Sequence, residues 1–379
     1  MTNPQRYDVA VLGLGAVGAS ALWRAAARGA SVIGFEQFEP GHPRGSSHGG
    51  SRIFRQTLFE GVEYVPLARR AKRLWQQLQQ QSGAQLFQRT GGLTIGPAGS
   101  SLIKVALESA QAGGFEHELL DEEILAGTYP QHAHIQGDVA VFERGAGVMN
   151  PEASIRAAVA QARQHGAEVA VNARVDSIDH EDQGVRIVCG GNEVLARRAI
   201  VATGAWFTDL VPDLALPLTI VRSPLVWFTG PDRAAYGPDR FPVFVRKSGD
   251  LDGWGITDID GKGVKIGAGP SAPKPLLDRA DDNSYPIDER DTGPCERFCE
   301  RAFPGLDPVA KAAEPCMNSR TADRDFIIGI PEKAPSLVLA GGFSGHGFKH
   351  ASASGDVAVD LAIDGATELP IDRFSPERF

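Results

Sequence analysis

Three glycines near the start of the chain have the spacing needed to grip a phosphate. In Gly13-x-Gly15-x-x-Gly18 the first glycine permits a tight turn. The second lets a pyrophosphate approach the backbone, where the free N–H groups and dipole of a helix start favour anions. The third allows close packing of helix on strand. Glu36 follows at the distance where an acid can hydrogen-bond ribose hydroxyls. The implied chemistry is dinucleotide binding.

Three features favour FAD over NAD. The fingerprint stands at the N-terminal end of the sequence. A second Gly-rich strand end, Ala340-Gly-Gly-Phe-Ser-Gly-His-Gly347, precedes the last helix. That helix could turn its positive end to a flavin ring and stabilise an anionic reduced form. Ala199-Ile-Val-Ala-Thr-Gly204 is a strand running into a glycine, suited to close approach by an extended ligand. The sequence holds no second GxGxxG, so no separate NAD(P)H module is expected. Electrons would then come from a substrate oxidised directly at the flavin.

These residues need elements to hold them. Tyr7 to Leu12 is a Val-rich apolar run ended by Gly13 and reads as a buried parallel strand. Ala16 to Arg28 reads as a helix with Gly29 as its C-cap. Ser31 to Glu36 is the next strand, which makes a βαβ unit opening a doubly wound sheet. Residues 37–56, rich in Gly, Pro, Ser and His, read as a long loop of the kind that is often functional. Residues 63–81 and 151–166 read as helices, the second with Pro151 in its first turn and Gly166 at its end. Val185–Val188 and Ala199–Ala202 read as strands. Between about 217 and 270 the runs Val221–Phe228, Val243–Val245, Gly253–Ile256 and Val264–Ile266 alternate with turns. That pattern suggests an antiparallel sheet inserted between α/β segments. Strand Leu337–Ala340 and helix Ala351–Ile363 return to α/β.

Composition narrows the partners. The chain has 379 residues, 42% hydrophobic and 22% charged, with a net charge of −9. That argues against nucleic acid or an acidic membrane surface as a partner, but leaves room for a local basic pocket. Cys295 and Cys299 could meet across a helical turn, yet no His/Cys pairing at zinc spacing accompanies them, so no metal is expected. His132 and His134 lack acidic neighbours in sequence and read as surface or hinge residues. Trp206 reads as core, or as packed on a flavin. No basic-then-apolar leader and no membrane-length apolar stretch is present, so a cytoplasmic protein is expected.

The most specific strings are Gly45-Ser-Ser-His-Gly-Gly-Ser-Arg-Ile-Phe-Arg55, Glu63-Tyr-Val-Pro-Leu67, Cys316-Met317, Asp325-Phe-Ile-Ile328 and Gly342-Phe-Ser-Gly-His-Gly-Phe-Lys349. On these, and over nearly its whole length, the chain resembles the monomeric sarcosine oxidase and N-methyltryptophan oxidase family of amine-oxidising flavoenzymes. The resemblance implies an α/β fold: a Rossmann-like FAD-binding domain of discontinuous segments (1–90, 146–216 and 315–379) plus an α+β substrate domain (91–145 and 217–314) built on an antiparallel sheet. It implies FAD at Gly13, Gly15, Ala16, Val17 and Gly18, at Glu36 and Gln37, and at Ser47, His48 and Arg52. Val175, Thr203, Gly204 and Trp206 join them, as do Met317, Phe343, Gly345, His346, Gly347, Phe348 and Lys349.

By the same resemblance Cys316 is the residue that bonds the flavin 8α-methyl through sulfur. A thiolate there needs nearby positive charge, which His48 and Arg52 could give. Read alone, Cys316 is a small buried hydrophobe. Arg55 and Lys349 match the pair that clamps a substrate carboxylate, one as a fork and one as a point charge. Lys265 matches the lysine that speeds reaction with oxygen, where a cation stabilises developing charge. The chain departs from the sarcosine oxidases at Asn318 and Trp254, where they carry tyrosine, and at Gly269, where they carry histidine. Loss of an aromatic at 318 weakens a cation–π or hydroxyl contact, and loss of the imidazole at 269 makes room. Trp254 and Asn318 are thus expected at the substrate, and a bulkier or cyclic secondary amino acid fits better than sarcosine. The expected reaction is FAD-dependent oxidation of such an N-methyl or cyclic amino acid by oxygen, giving imine or aldehyde and hydrogen peroxide, in a monomer. Alternatives are a fructosyl amino acid oxidase, an amine dehydrogenase with another acceptor, and a flavin-binding subunit of a hetero-oligomer.

Overall fold

The computed structural model describes residues 5–181, 184–269, 272 and 274–379. Strand β1 (Arg6–Leu12), helix α1 (Ala16–Ala27) and strand β2 (Val32–Phe35) form the βαβ unit, with β1 and β2 parallel in register Val9↔Val32. Gly29, with φ 78°, lies one residue beyond the helix end at Arg28. On its other edge β1 pairs in parallel with strand Asn192–Val201. That strand is longer than its apolar run, and two further partners share its other edge. Its first half pairs antiparallel with Gly184–Cys189, and its second half pairs parallel with Leu337–Gly341. Strands Glu168–Ala170, Val175–Glu181 and Ile327–Gly329 complete this eight-stranded sheet. Helix α1 lies against helices Pro151–Gln164 and Ala351–Asp364. The contact is close enough that a Cβ on Gly355 would meet Val17 O at 2.6 Å.

The second eight-stranded sheet runs Ala312–Glu314, Leu225–Phe228, Val264–Ala268, Leu251–Ile256, Val243–Ser248, Gly92–Pro97, Asp138–Glu143, Glu118–Leu120. It is antiparallel except where Val243–Ser248 meets Gly92–Pro97 in parallel. The run expected as one strand over Val221–Phe228 is two strands in two sheets. Pro224 has no N–H to give a ladder, and the chain breaks there. Thr219–Arg222 pairs instead with Met317–Arg320 in register Val221↔Asn318, and Leu225–Phe228 enters the large sheet. The break has a local use, since Ser223 N donates to Cys316 O at 2.7 Å.

The surface reading is corrected for His132 and holds for His134, which is 58% exposed. His132 is buried, ringed by Phe241, Phe244 and Phe303. His134 does have an acidic partner, Glu122 Oε1 at 2.7 Å, supplied by a neighbouring helix rather than by the local sequence. Cys295 and Cys299 are free thiols buried on helix Glu289–Ala302. Among the described residues no His/Cys/Asp/Glu group is arranged for a metal, and no helix is long and apolar enough to cross a membrane.

Candidate active site

A cavity of about 830 Å³ runs from the Gly13–Val17 turn, past Cys316, to Arg55, Lys349 and Trp254. Its near end is shaped by missing side chains. Gly13 has φ 84°, and a Cβ there would lie 2.8 Å from Ala202 O. A Cβ on Gly18 would lie 1.8 Å from Gly13 O, so this glycine sets the packing behind the wall. Gly15, the N-cap of α1, is different: beyond its own chain neighbours no described atom lies within 4 Å of where its Cβ would be, and no side chain caps the helix. Gly15, Ala16 and Val17 line the cavity, and among the described residues no side chain caps the first-turn N–H groups of α1. Thr203 Oγ1 on the same wall is a buried hydroxyl without a hydrogen-bond partner among the described residues. Glu36 already accepts from Leu14 N at 2.9 Å and Phe38 N at 3.0 Å, so it holds the turn as well as lining the cavity. Gln37, Ala16, Val17, Val175, Gly204 and Trp206 share this wall. Trp206 is half-buried, its Nε1 donating to Asp281 Oδ1 at 2.9 Å, which makes it a wall residue rather than core.

Midway, Cys316 Sγ lies 3.8 Å from Arg52 Nη2. Arg52 is fixed by donating to Ser46 O and Ser51 O, each at 2.8 Å. Burial pushes the Cys316 thiol up, and Arg52, then Met317 N–H and Lys265, oppose it. His48 cannot add positive charge as expected. Burial, Arg52 and Lys265 push its pKa down to about 3, so it is neutral. Lys265, 1% exposed, donates to Gly49 O, to Ser51 O at 3.2 Å and to Ser51 Oγ at 2.6 Å. Burial, then Arg52, brings its pKa down to about 7. Lys265, His48 and Gly18 lie behind the cavity wall; Ser47, Met317, Phe343 and Gly345 to Phe348 are on it.

At the far end Arg55 and Lys349 converge. Arg55 is placed by the strand Arg52–Phe54 and by Glu143, which accepts from Gln56 N and Thr57 N, both at 2.8 Å. Lys349 is placed by its own carbonyl, which accepts from Trp75 Nε1 at 3.2 Å, while Phe348 stacks on Trp75. Both cations donate to one oxygen, Glu60 Oε1, at 2.7 Å from Arg55 Nη2 and 2.8 Å from Lys349 Nζ. Burial raises the Glu60 carboxyl, but Arg55, Lys349 and His346 outweigh it and hold it well below the usual range. Burial lowers Lys349, with Arg55, to about 8 against the pull of Glu60.

The wall opposite is Trp254 and Asn318. Trp254 lies across Gly267 of the adjacent strand, whose Cβ would sit 2.2 Å from the indole. Asn318 Oδ1 accepts from Arg320 Nε at 3.2 Å. The room expected at Gly269 is filled: a Cβ there would meet Asp252 Oδ1 at 1.9 Å. An acid on the neighbouring strand has taken the space.

Residues 8–361 match the model of the FAD dependent oxidoreductase family. The chain belongs to that family. Monomeric sarcosine oxidase of Streptomyces avermitilis is 33% identical over 98% of this chain and 97% of its own. N-methyl-L-tryptophan oxidase of Shigella dysenteriae is 30% identical over 99% of this chain and 100% of its own. Among solved structures, L-proline dehydrogenase from P. horikoshii superposes with a TM-score of 0.84 at 20% identity, over 100% of this chain and 98% of that one, which is a likeness of fold. The uncapped start of α1, the open side of Gly15 and the unpartnered Thr203 hydroxyl fit the family's FAD.

Among the cavity residues that the sequence did not point to are Glu60, Asp252 and Lys247. For Asp252 a signal existed. It stands two residues before Trp254 on a strand, and period-two alternation puts both on one face. Glu60 follows Arg55 by one loop, but only the fold shows that the loop folds back.

Proposed function

We propose that this enzyme oxidises a secondary amino acid, N-methyl or cyclic, at its C–N bond, with oxygen as acceptor and hydrogen peroxide as product. One observation carries the reading: Arg55 and Lys349, far apart in sequence, meet on a single carboxylate oxygen inside the FAD cavity. That is the geometry a substrate carboxylate needs. Bound in this cavity, FAD would supply the two-electron acceptor for the amine and the route of those electrons to oxygen. The chain's own residues do the rest. Arg55 and Lys349 anchor the carboxylate, which fixes the amine carbon in one place, mostly a positioning effect. Their charge also favours the neutral, reactive amine by lowering its pKa. Trp254 and Asn318 bound the substrate, and Asp252 beside Gly269 keeps a polar wall there. We assign Cys316 as the covalent attachment of the flavin, supported by its contact with Arg52. Lys265 is assigned to oxygen activation, and His48 is kept as a neutral neighbour of the flavin.

We further read segments 1–90, 146–216 and 315–379 as the FAD-binding part and 91–145 with 217–314 as the substrate part. The first sheet draws all its strands from the former set and the second from the latter. A monomer in the cytoplasm, with no nucleic-acid or membrane partner, completes the proposal. A dehydrogenase with another acceptor is favoured by one fact, that Lys265 Nζ is engaged by loop oxygens behind the wall. A peroxide-coupled screen under air of N-methyl amino acids, proline, pipecolate and fructosyl amino acids tests both. Turnover of a secondary amino acid with stoichiometric peroxide is expected. Turnover only with an artificial acceptor would move the reading to a dehydrogenase.

A further inference from the structure

Glu60 stands where the carboxylate of the proposed substrate would bind, and it is poorly suited to stay there. Its side chain is 11% exposed. Oε1 takes both cations, with His346 Nδ1 3.8 Å away, while Oε2 has no hydrogen-bond partner among the described residues. A substrate carboxylate could offer one oxygen to each cation. The two cations do not depend on Glu60 for position. Arg55 Nη1 donates to Thr57 O at 2.6 Å, and its guanidinium lies 4.1 Å over the Phe59 ring. Lys349 Nζ also donates to His346 O at 3.1 Å.

The backbone around Glu60 can yield. It lies between strand Arg52–Phe54 and the turn Val62–Tyr64, outside any regular element, and is followed by Gly61 at φ 143°. Its departure therefore breaks no ladder. Two carboxylates beside two cations would crowd like charges in a buried place, so a substrate that binds both cations must exchange for Glu60 rather than join it.

We propose that Glu60 is a specificity-determining residue: an internal carboxylate that holds Arg55 and Lys349 until a substrate carboxylate replaces it. Amines without a carboxylate meet a closed clamp, and amino acids open it. The inference rests on the proposed amino-acid substrate. Its thermodynamic signature is a weakened apparent affinity for every carboxylate, by the factor that Glu60 favours the clamp.

The test uses FAD-loaded enzyme and sodium cyclopentanecarboxylate, titrated at pH 6.5 by the change in flavin absorbance. Glu60→Gln should bind it at least tenfold tighter than the parent. Glu60→Asp, which keeps the charge but shortens the reach, should fall between them. Glu118→Gln removes a carboxylate outside the cavity, where Glu118 pairs with Arg144, and should change affinity less than threefold. Cyclopentanecarboxamide should bind alike to all four. Equal or weaker carboxylate binding by Glu60→Gln overturns the proposal, as does an equal gain in Glu118→Gln, which would reduce the effect to net charge. If Glu60→Gln does not fold, Glu60→Asp decides: tighter binding supports the exchange, and unchanged or weaker binding overturns it. The two readings fail separately. If no amino acid is oxidised yet Glu60→Gln tightens carboxylate binding, the substrate class falls and the exchange stands. If amino acids are oxidised and the variants bind carboxylate no tighter, only the exchange falls.

Discussion

The two ends of the cavity are built on opposite principles. At the nucleotide end, Gly13, Gly15 and Gly18 make the site by what they lack: a side chain on Gly13 or Gly18 would meet a backbone carbonyl, and Gly15 is open. At the substrate end, Arg55, Lys349, Glu60 and Asp252 make it by crowding charge into a buried place. The steric demand at Gly18 is set by a neighbour in sequence, Gly13. A charge balance is fixed by residues that only the fold brings together.

The largest effect should come from adding a methyl group at the nucleotide end. Gly18→Ala puts a carbon against the Gly13 carbonyl, at a spacing of 1.8 Å before any shift. It should cost about 3 kcal/mol or more in denaturant unfolding, with loss of bound FAD. Gly15→Ala is the contrast, since its Cβ meets no protein atom. The FAD-free variant should unfold within about 0.5 kcal/mol of the parent. Its FAD affinity should still fall, measured by flavin fluorescence. Equal destabilisation by both would erase the distinction between packing and ligand-facing glycines.

At the substrate end, Arg55→Met or Lys349→Met should raise KM for a carboxylate-bearing amine with little change in fold. Loss of one charged hydrogen bond is worth about 1.5–3 kcal/mol, or roughly ten- to hundredfold. Steady-state kinetics against the decarboxylated amine separates this from a general loss of activity. The pH dependence is the next smaller effect. Lys349 is cationic below its pKa of about 8, so carboxylate affinity should be present below that value and fall as pH rises through it. Lys265, lowered to about 7, should make reoxidation by oxygen slow as pH rises through neutrality. A flat stopped-flow profile would remove its assigned role. A small effect on the fold is also expected from Cys316→Ser. Unfolding should shift by less than about 1 kcal/mol. Acid precipitation should leave the flavin in the supernatant, where the parent's pellet stays yellow.

This contrast also explains what the sequence could and could not reveal. The βαβ unit was legible because the turn, helix and strand satisfy each other within thirty or so residues. The division at Pro224 was legible in principle, since proline cannot sit inside a central strand, but the apolar run around it masked the signal. The open space expected at Gly269 was wrong for a physical reason. A glycine removes its own side chain but does not reserve the volume, and Asp252 on the paired strand fills it. His48 failed similarly, because a histidine beside Arg52 in a buried site sheds its proton rather than adding charge. Glu60 was invisible because a resemblance that supplies a cationic pair says nothing about which anion of the chain folds back onto it.

The most direct test of the central claim is anaerobic mixing of FAD-loaded enzyme with an N-methyl or cyclic amino acid and, separately, with its decarboxylated amine. The visible flavin absorbance should bleach with the amino acid at least a hundredfold faster, and peroxide should appear when air is admitted. Equal bleaching by both members of the pair, or bleaching by neither across the panel, would contradict an enzyme that selects secondary amines by their carboxylate.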